Sequence, residues 1–188
     1  MNVFRLSYNE KEMADREKFL NLVKKDKYQV FLFVSRANLP FFFAIHPWLV
    51  VNNRGTISRF GVAWDRSMQP IPAFGELSNQ GHWGHLYRNY FPPWQGIGVF
   101  PFFWRYFWRG YLLQCIEGDE NSTAKQIVEF VEKSEETYPH KENYSLLGPN
   151  SNTYVQWVLD NFPNSGLRLP WNSFGKHHPK AQPGVTRS

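Results

Sequence analysis

Apolar positions along this chain change their spacing several times, and each spacing implies a different element. Between Asn9 and Lys25, Met13, Phe19, Leu20 and Val23 stand among charged residues at roughly helical intervals, which predicts a short amphipathic helix covering the core. Tyr28–Ser35 (YQVFLFVS) and Phe41–Asn52 (FFFAIHPWLVVN) are β-branched and aromatic runs separated by Arg36-Ala37-Asn38-Leu39-Pro40, the pattern of strand, turn and strand. Asn52-Asn53-Arg54-Gly55 predicts a tight turn, and Thr56–Trp64 (TISRFGVAW) a third strand of an antiparallel meander. From Asp65 to Gly98 proline and glycine dominate. A structureless loop of that length is uncommon in a compact domain, so short strands or turns are expected inside it.

Tyr111–Glu117 (YLLQCIE) reads as a further strand ended by Gly118-Asp119. Ser122 or Thr123 then caps a helix: Thr123-x-x-Gln126 has capping-box spacing, and Ile127, Val128, Phe130 and Val131 give an apolar face up to Tyr138-Pro139. Another helix is expected from Ser151 to Asn161, with Tyr154, Val155, Val158, Leu159 and Phe162 at helical spacing and Pro163 just beyond. Strands first and helices later predict an α+β class, an antiparallel sheet with packed helices, rather than alternating βαβ units. The expected organisation is one domain over residues 1–176 and a flexible basic tail over 177–188.

Composition narrows the class. Of the 188 residues, 42% are hydrophobic and 18% aromatic, which excludes wholesale disorder, and the single Cys115 excludes both a disulfide scaffold and a multi-cysteine zinc site. A net charge of +5 favours anionic partners only mildly. The charged stretch Met1–Tyr28 is no secretory signal, so the expected location is the cytoplasm. The uncharged stretches Ala37–Asn53 and Asn89–Trp104 fall short of the ~20 apolar residues of a spanning helix and are broken by proline or glycine, so no transmembrane helix is expected. Phosphate-loop, dinucleotide, serine-elbow and zinc-protease motifs are missing, and no cofactor or metal is expected. His82-Trp83-Gly84-His85 and His177-His178-Pro179 lack the further ligands a metal requires.

Chemistry concentrates in Tyr144–Trp157 (YSLLGPNSNTYVQW), where Gly148-Pro149 turns the chain and Asn150-Ser151-Asn152-Thr153 enters a helix. A helix start supplies free N–H groups and the positive end of a dipole, which suit a nucleophile and an oxyanion. The same residue types are ordinary N-caps, and on the residues alone plain capping is the simpler reading. His46, a lone histidine on an apolar strand, is likewise ordinarily a core residue. Tyr87–Tyr111 interleaves many aromatics with Arg88, Arg105 and Arg109 and has no acid. It suits a core and pocket wall, a lipid interface allowing peripheral membrane contact, or a partner surface. Nucleic acid is not expected, because the band lacks lysine and no RNA- or DNA-binding signature occurs.

Tyr-x-Leu-Leu-x-x-Asn-Ser-Asn-Thr-Tyr followed by a helix resembles the Y-x-L-L-x-x-N-C-N-x-F segment of circularly permuted papain-like thiol hydrolases, the PPPDE and lecithin retinol acyltransferase type of the NlpC-like clan. In that family an early strand carries the histidine and a later helix opens with the cysteine. More narrowly, the chain is similar to an uncharacterised bacterial family with H-x-W, G-P-N-S-N-T and L-P-x-x-x-x-G-K motifs. These read here His46-Pro47-Trp48, Gly148–Tyr154 and Leu169–Lys176. The resemblance implies a permuted papain-like architecture with His46 as general base and Ser151 as nucleophile. Asn150, Asn152, Trp48 and Lys176 would then contact substrate or oxyanion. Serine replaces the family's cysteine, and serine acts only beside a well-aligned base. Two functions therefore stay open: a hydrolase or acyltransferase on an amide or ester, with a peptide, acyl or lipid-like substrate, and a catalytically inactive module that binds a peptide, lipid or protein partner through the Tyr87–Tyr111 band. Ser58, Arg59 and Asp65 lie near the place of an orienting third residue, with none favoured.

Overall fold

The computed structural model describes residues 15–37, 41–62, 86–89, 91–99, 103–141 and 143–179, the side chains of 98, 99 and 103–107 excepted. Five strands, β1 (Tyr28–Arg36), β2 (Ile45–Asn53), β3 (Thr56–Val62), β4 (Leu86–Arg88) and β7 (Tyr111–Gly118), form one sheet in the order β4-β3-β2-β1-β7. Every neighbouring pair is antiparallel. The strands β5 (Gln95–Val99) and β6 (Phe103–Arg109) form a separate antiparallel ribbon. The helices are α1 (residues 15–22), α2 (Thr123–Glu132), α3 (Ser134–Thr137) and α4 (Ser151–Asn161). The architecture is α+β, an antiparallel sheet with packed helices.

The sheet is apolar on both faces, and that fixes the layering. On one face Val30, Leu32, Leu49, Val51, Phe60 and Val62 pack with Ile127, Val128 and Val131 of α2 and with Tyr154, Val155, Val158 and Leu159 of α4. On the other, Phe31, Phe33, Trp48 and Val50 pack with Phe19 of α1 and with Trp94. Strand alternation sends successive side chains to opposite faces. β1 is therefore an uninterrupted run of buried residues from Tyr28 to Phe33, each large apolar side chain contributing about 1.5–3 kcal/mol. The β2–β3 hairpin closes through Arg54 (φ 50°) and Gly55 (φ 98°), two residues in the left-handed region that a tight two-residue hairpin demands.

Several expected boundaries move, each for a local reason. The first helix ends at residue 22 rather than Lys25, because buried Gln29 and Asn52 take the Lys24 backbone: its N–H donates to Gln29 Oε1 (2.8 Å) and its carbonyl accepts from Asn52 Nδ2 (2.8 Å). Residues 9–14 lie outside the described residues. β2 begins at Ile45, not Phe41. Phe41–Ala44 instead forms a turn closed by Ala44 N–H to Phe41 O and Ala37 N–H to Ala44 O (both 2.9 Å). Of the two caps expected for α2, Ser122 is the one used: its hydroxyl accepts from Lys125 N–H (3.2 Å), and Thr123 is the first helical residue. The expected continuous helix to Tyr138 breaks at Lys133 into α2 and the short α3. The long Pro/Gly-rich stretch holds β4 and β5, as expected of it, while residues 63–85 lie outside the described residues.

Candidate functional site

Helix α4 starts at Ser151, as the sequence predicts, and its N-cap is Asn150. Asn150 Oδ1 accepts the backbone N–H groups of Asn152 (2.9 Å) and Thr153 (3.2 Å), while Asn150 Nδ2 donates to the carbonyls of Leu146 (3.0 Å) and Phe174 (3.1 Å). The box closes reciprocally, with Asn150 N–H donating to Thr153 Oγ1 (3.1 Å), whose hydroxyl donates on to Gly175 O (2.7 Å). Asn152 Nδ2 donates to Phe174 O (2.8 Å) and to Ile45 O (3.2 Å). Ile45 N–H reaches Asn172 O at 3.4 Å. The Gly148–Tyr154 and Leu169–Lys176 motifs thus meet in space, tied by two asparagines and a threonine, and reach the first motif only through Ile45, the residue before His46.

This knot is closed. Asn150, Ser151, Asn152 and Thr153 are all buried. Gly175 adopts φ 89°, and a Cβ there would lie 2.5 Å from Asn150 Nδ2, so glycine is what lets the 169–176 segment lie against the cap. Lys176 turns back to donate to Pro170 O (2.8 Å). The turn continues past Lys176 into the segment expected as a tail: the His178 ring lies 5.4 Å from that of His140. Of the donors expected to hold an oxyanion, the Asn152 N–H and both side-chain amides are engaged inside the protein.

The histidine is placed differently. His46 pairs with Ser35 in the β1–β2 ladder, two residues before Trp48, and shares the face of Trp48 and Val50. Its ring lies 6.1 Å from that of Trp48. Ser151 opens the helix that packs on the other face, against Leu49 and Val51. The expected dyad is therefore not brought together: the sheet separates the imidazole from the α4 layer, no hydrogen bond joins the two residues, and His46 Nε2 has no hydrogen-bond partner.

Burial, reinforced by the Arg59 charge, pushes His46 down to about 3. The folded protein holds it neutral, whereas the unfolded chain takes up that proton near its ordinary value of 6.5. This contribution is complete above pH 6.5 and is lost as the pH falls from there toward about 3. The loss is at most about 1.4 kcal/mol per pH unit. Thermal melts across that range should show His46→Gln with a shallower acid limb than the parent chain. Parallel limbs would contradict the buried neutral imidazole.

Sequence reading named Arg59 only as a neighbour of the histidine, yet it organises this face. It is fully buried on β3. Its guanidinium lies over the Trp48 ring at 4.2 Å, and it donates to Pro92 O and Gln95 O (2.5 Å each) and to Tyr87 Oη (3.3 Å). The available signal is an arginine on a strand between a serine and a phenylalanine, alternating to the same face as Ile57. Trp48, expected to contact substrate, is instead sealed: it stacks on Phe33 (5.7 Å, 10° between planes) and its Nε1 donates to Pro93 O (2.9 Å). Ser58 is buried and accepts from Arg88 (3.2 Å), and Asp65 lies outside the described residues.

Three described rings of the aromatic band serve the interior, whereas Trp108 is half-buried and Tyr111 is exposed. Tyr87 and Phe91 are buried around Arg59, Trp94 is buried against Phe19, Arg88 lies over Phe60 (5.4 Å), and Arg109 pairs with Asp15. Among the described residues no group of three or more His, Cys, Asp or Glu side chains is gathered as for a metal, and no helix is long and apolar enough to cross a membrane. His82 and His85 lie outside the described residues.

The fold and its buried polar corner define an α+β domain in which the Gly148–Tyr154 and Leu169–Lys176 motifs form one structural unit against the start of β2. The chain belongs to the DUF3750 family of proteins of unknown function, whose profile matches residues 27–178 and so encloses all three motifs. No curated protein and no solved structure matches it.

Proposed function

We propose that this domain is a non-catalytic binding module built on a permuted papain-like architecture, in which the nucleophile corner serves as a structural joint. One observation carries the reading: the sheet lies between the His46 ring and the helix that Ser151 opens. A serine hydroxyl without a base within hydrogen-bond reach is a poor nucleophile. The Asn152 N–H and the side-chain amides of Asn150 and Asn152 already hold Ile45, Leu146, Phe174 and the α4 cap together. Of the band's described rings Tyr87, Phe91 and Trp94 are buried and Tyr111 is 59% exposed, so binding falls to exposed apolar surface, Tyr111 included.

Restoring the cysteine of the papain-like pattern tests this reading. In a Cys115→Ser background, Ser151→Cys is expected to react with iodoacetamide at pH 7 no faster than an ordinary buried thiol, and at a rate unchanged by His46→Gln. Fast alkylation that His46→Gln abolishes would restore the hydrolase reading.

A further inference from the structure

We infer that residues 173–179 are a strap over the start of α4 which His140 and His178 clasp at neutral pH and loosen in acid, a device that goes beyond the binding-module reading. The strap is held at its tip through its own backbone. Phe174 O accepts from Asn150 Nδ2 (3.1 Å) and Asn152 Nδ2 (2.8 Å), and Gly175 O accepts from the Thr153 hydroxyl (2.7 Å). Past the tip the strap folds on itself, Lys176 N–H donating to Ser173 O (3.3 Å) and His178 N–H to Gly175 O (3.1 Å). This fold lays His178 on Gly148, where a Cβ would stand 2.9 Å from that of His178. It also sets the His178 ring edge-on to His140, 5.4 Å away with 76° between planes. His140 follows α3, so the ring contact fastens the strap to a separate element.

Two neutral imidazoles fit this contact, and two imidazolium ions do not. His140 Nε2 is buried without a hydrogen-bond partner, so a proton placed there finds no acceptor within the protein. Burial, and then the neighbouring His178, hold His140 below its ordinary value of 6.5, with the Pro179 backbone opposing them. The cleft at the rings, lined also by Thr153, Trp157, Asp160 and Lys176, measures about 20 Å³. That is room for a water and too little for a ligand, which makes the pair a fastening and not a binding site. The charged groups lining the same cleft are Asp160 of α4 and Lys176 of the strap, whose opposite signs leave no net charge to offset an imidazolium. On the side of His140, burial keeps Tyr138 un-ionised (5.8 Å between rings), Lys141 is turned back to Glu135 O (3.3 Å), and Glu135 Oε1 is buried without a partner of its own. With the strap on, the neutral ring is favoured. The clasp is therefore complete above pH 6.5 and weakens as the pH falls below it. Loosening frees the side-chain amides of Asn150 and Asn152 and the Thr153 hydroxyl, donors that a partner's backbone would need at this corner.

The test is hydrogen exchange of the full chain, read by mass spectrometry at pH 7.5 and pH 5.5 with labelling times scaled for the intrinsic rate. Peptides covering the strap are expected to lose protection by about tenfold in acid, while those covering β1 keep theirs. In the double variant His140→Phe, His178→Phe, which keeps two rings in contact and carries no titratable group there, the strap should be equally protected at both pH values. Equal protection of the parent strap at the two pH values would overturn the clasp without recourse to any variant. So would a loss that persists in the double variant, and so would a loss matched by β1, which would assign it to acid unfolding of the whole domain through His46. None of these outcomes depends on the chemistry of Ser151, so the clasp and the non-catalytic reading fail separately.

Discussion

Arg59→Ala is expected to destabilise the domain by about 3–5 kcal/mol, the largest effect of any single substitution on the strand-facing layer. Three terms add. The guanidinium's stack over Trp48 at 4.2 Å is lost, Pro92 O and Gln95 O lose their 2.5 Å donor, and a void opens under Phe91 and Tyr87. Burial lowers the pKa of this group, because no water replaces the hydration it gives up. Its cation is held by carbonyls and ring faces rather than by a described carboxylate. That arrangement predicts an order among variants. Arg59→Met, which fills the volume without the charge, should cost less than Arg59→Ala, and Arg59→Lys should not rescue, since an ammonium cannot reach three acceptors in the plane of a fork. Denaturant midpoints check both statements. A loss below about 1 kcal/mol for Arg59→Ala would mean that the 91–96 segment is held by other contacts.

Asn150→Ala should cost about 2–4 kcal/mol, more than the roughly 1 kcal/mol of an ordinary N-cap. The excess comes from the side-chain amide: Oδ1 caps α4, but Nδ2 also holds the part-buried Leu146 O and Phe174 O, and Gly175 packs directly against it. Asn150→Ser keeps a capping oxygen and loses those two donors, so it should recover only part of the loss. Full recovery in a urea titration would reduce Asn150 to a cap and remove the joint between the motifs.

Where the sequence was legible, the cause is local. α4 begins and ends where its apolar period and Asn150 place it, and β1, β3 and β7 follow their β-branched and aromatic runs. The candidate site was only half legible. Two motifs converge on the start of β2, but beyond His46 the strand is apolar on both faces, Leu49 and Val51 on one and Trp48 and Val50 on the other. Nothing in such a strand says which face the later helix will cover, and a shift of one residue decides whether His46 meets Ser151. The Asn-Ser-Asn-Thr run is ambiguous for a different reason, because a helix cap and an oxyanion site require the same short polar side chains. Phe41–Phe43 misleads most directly. Its apolar run reads as strand, whereas it forms an exposed turn before β2.

The most direct measurement is the intact mass of the chain after incubation with a fluorophosphonate, a reagent that captures only activated serines. A structural corner predicts an unchanged mass across pH 6–9, because no general base stands within reach of Ser151. One adduct per chain, lost in both Ser151→Ala and His46→Gln, would show that the two residues meet and would contradict the assignment of the corner to structure.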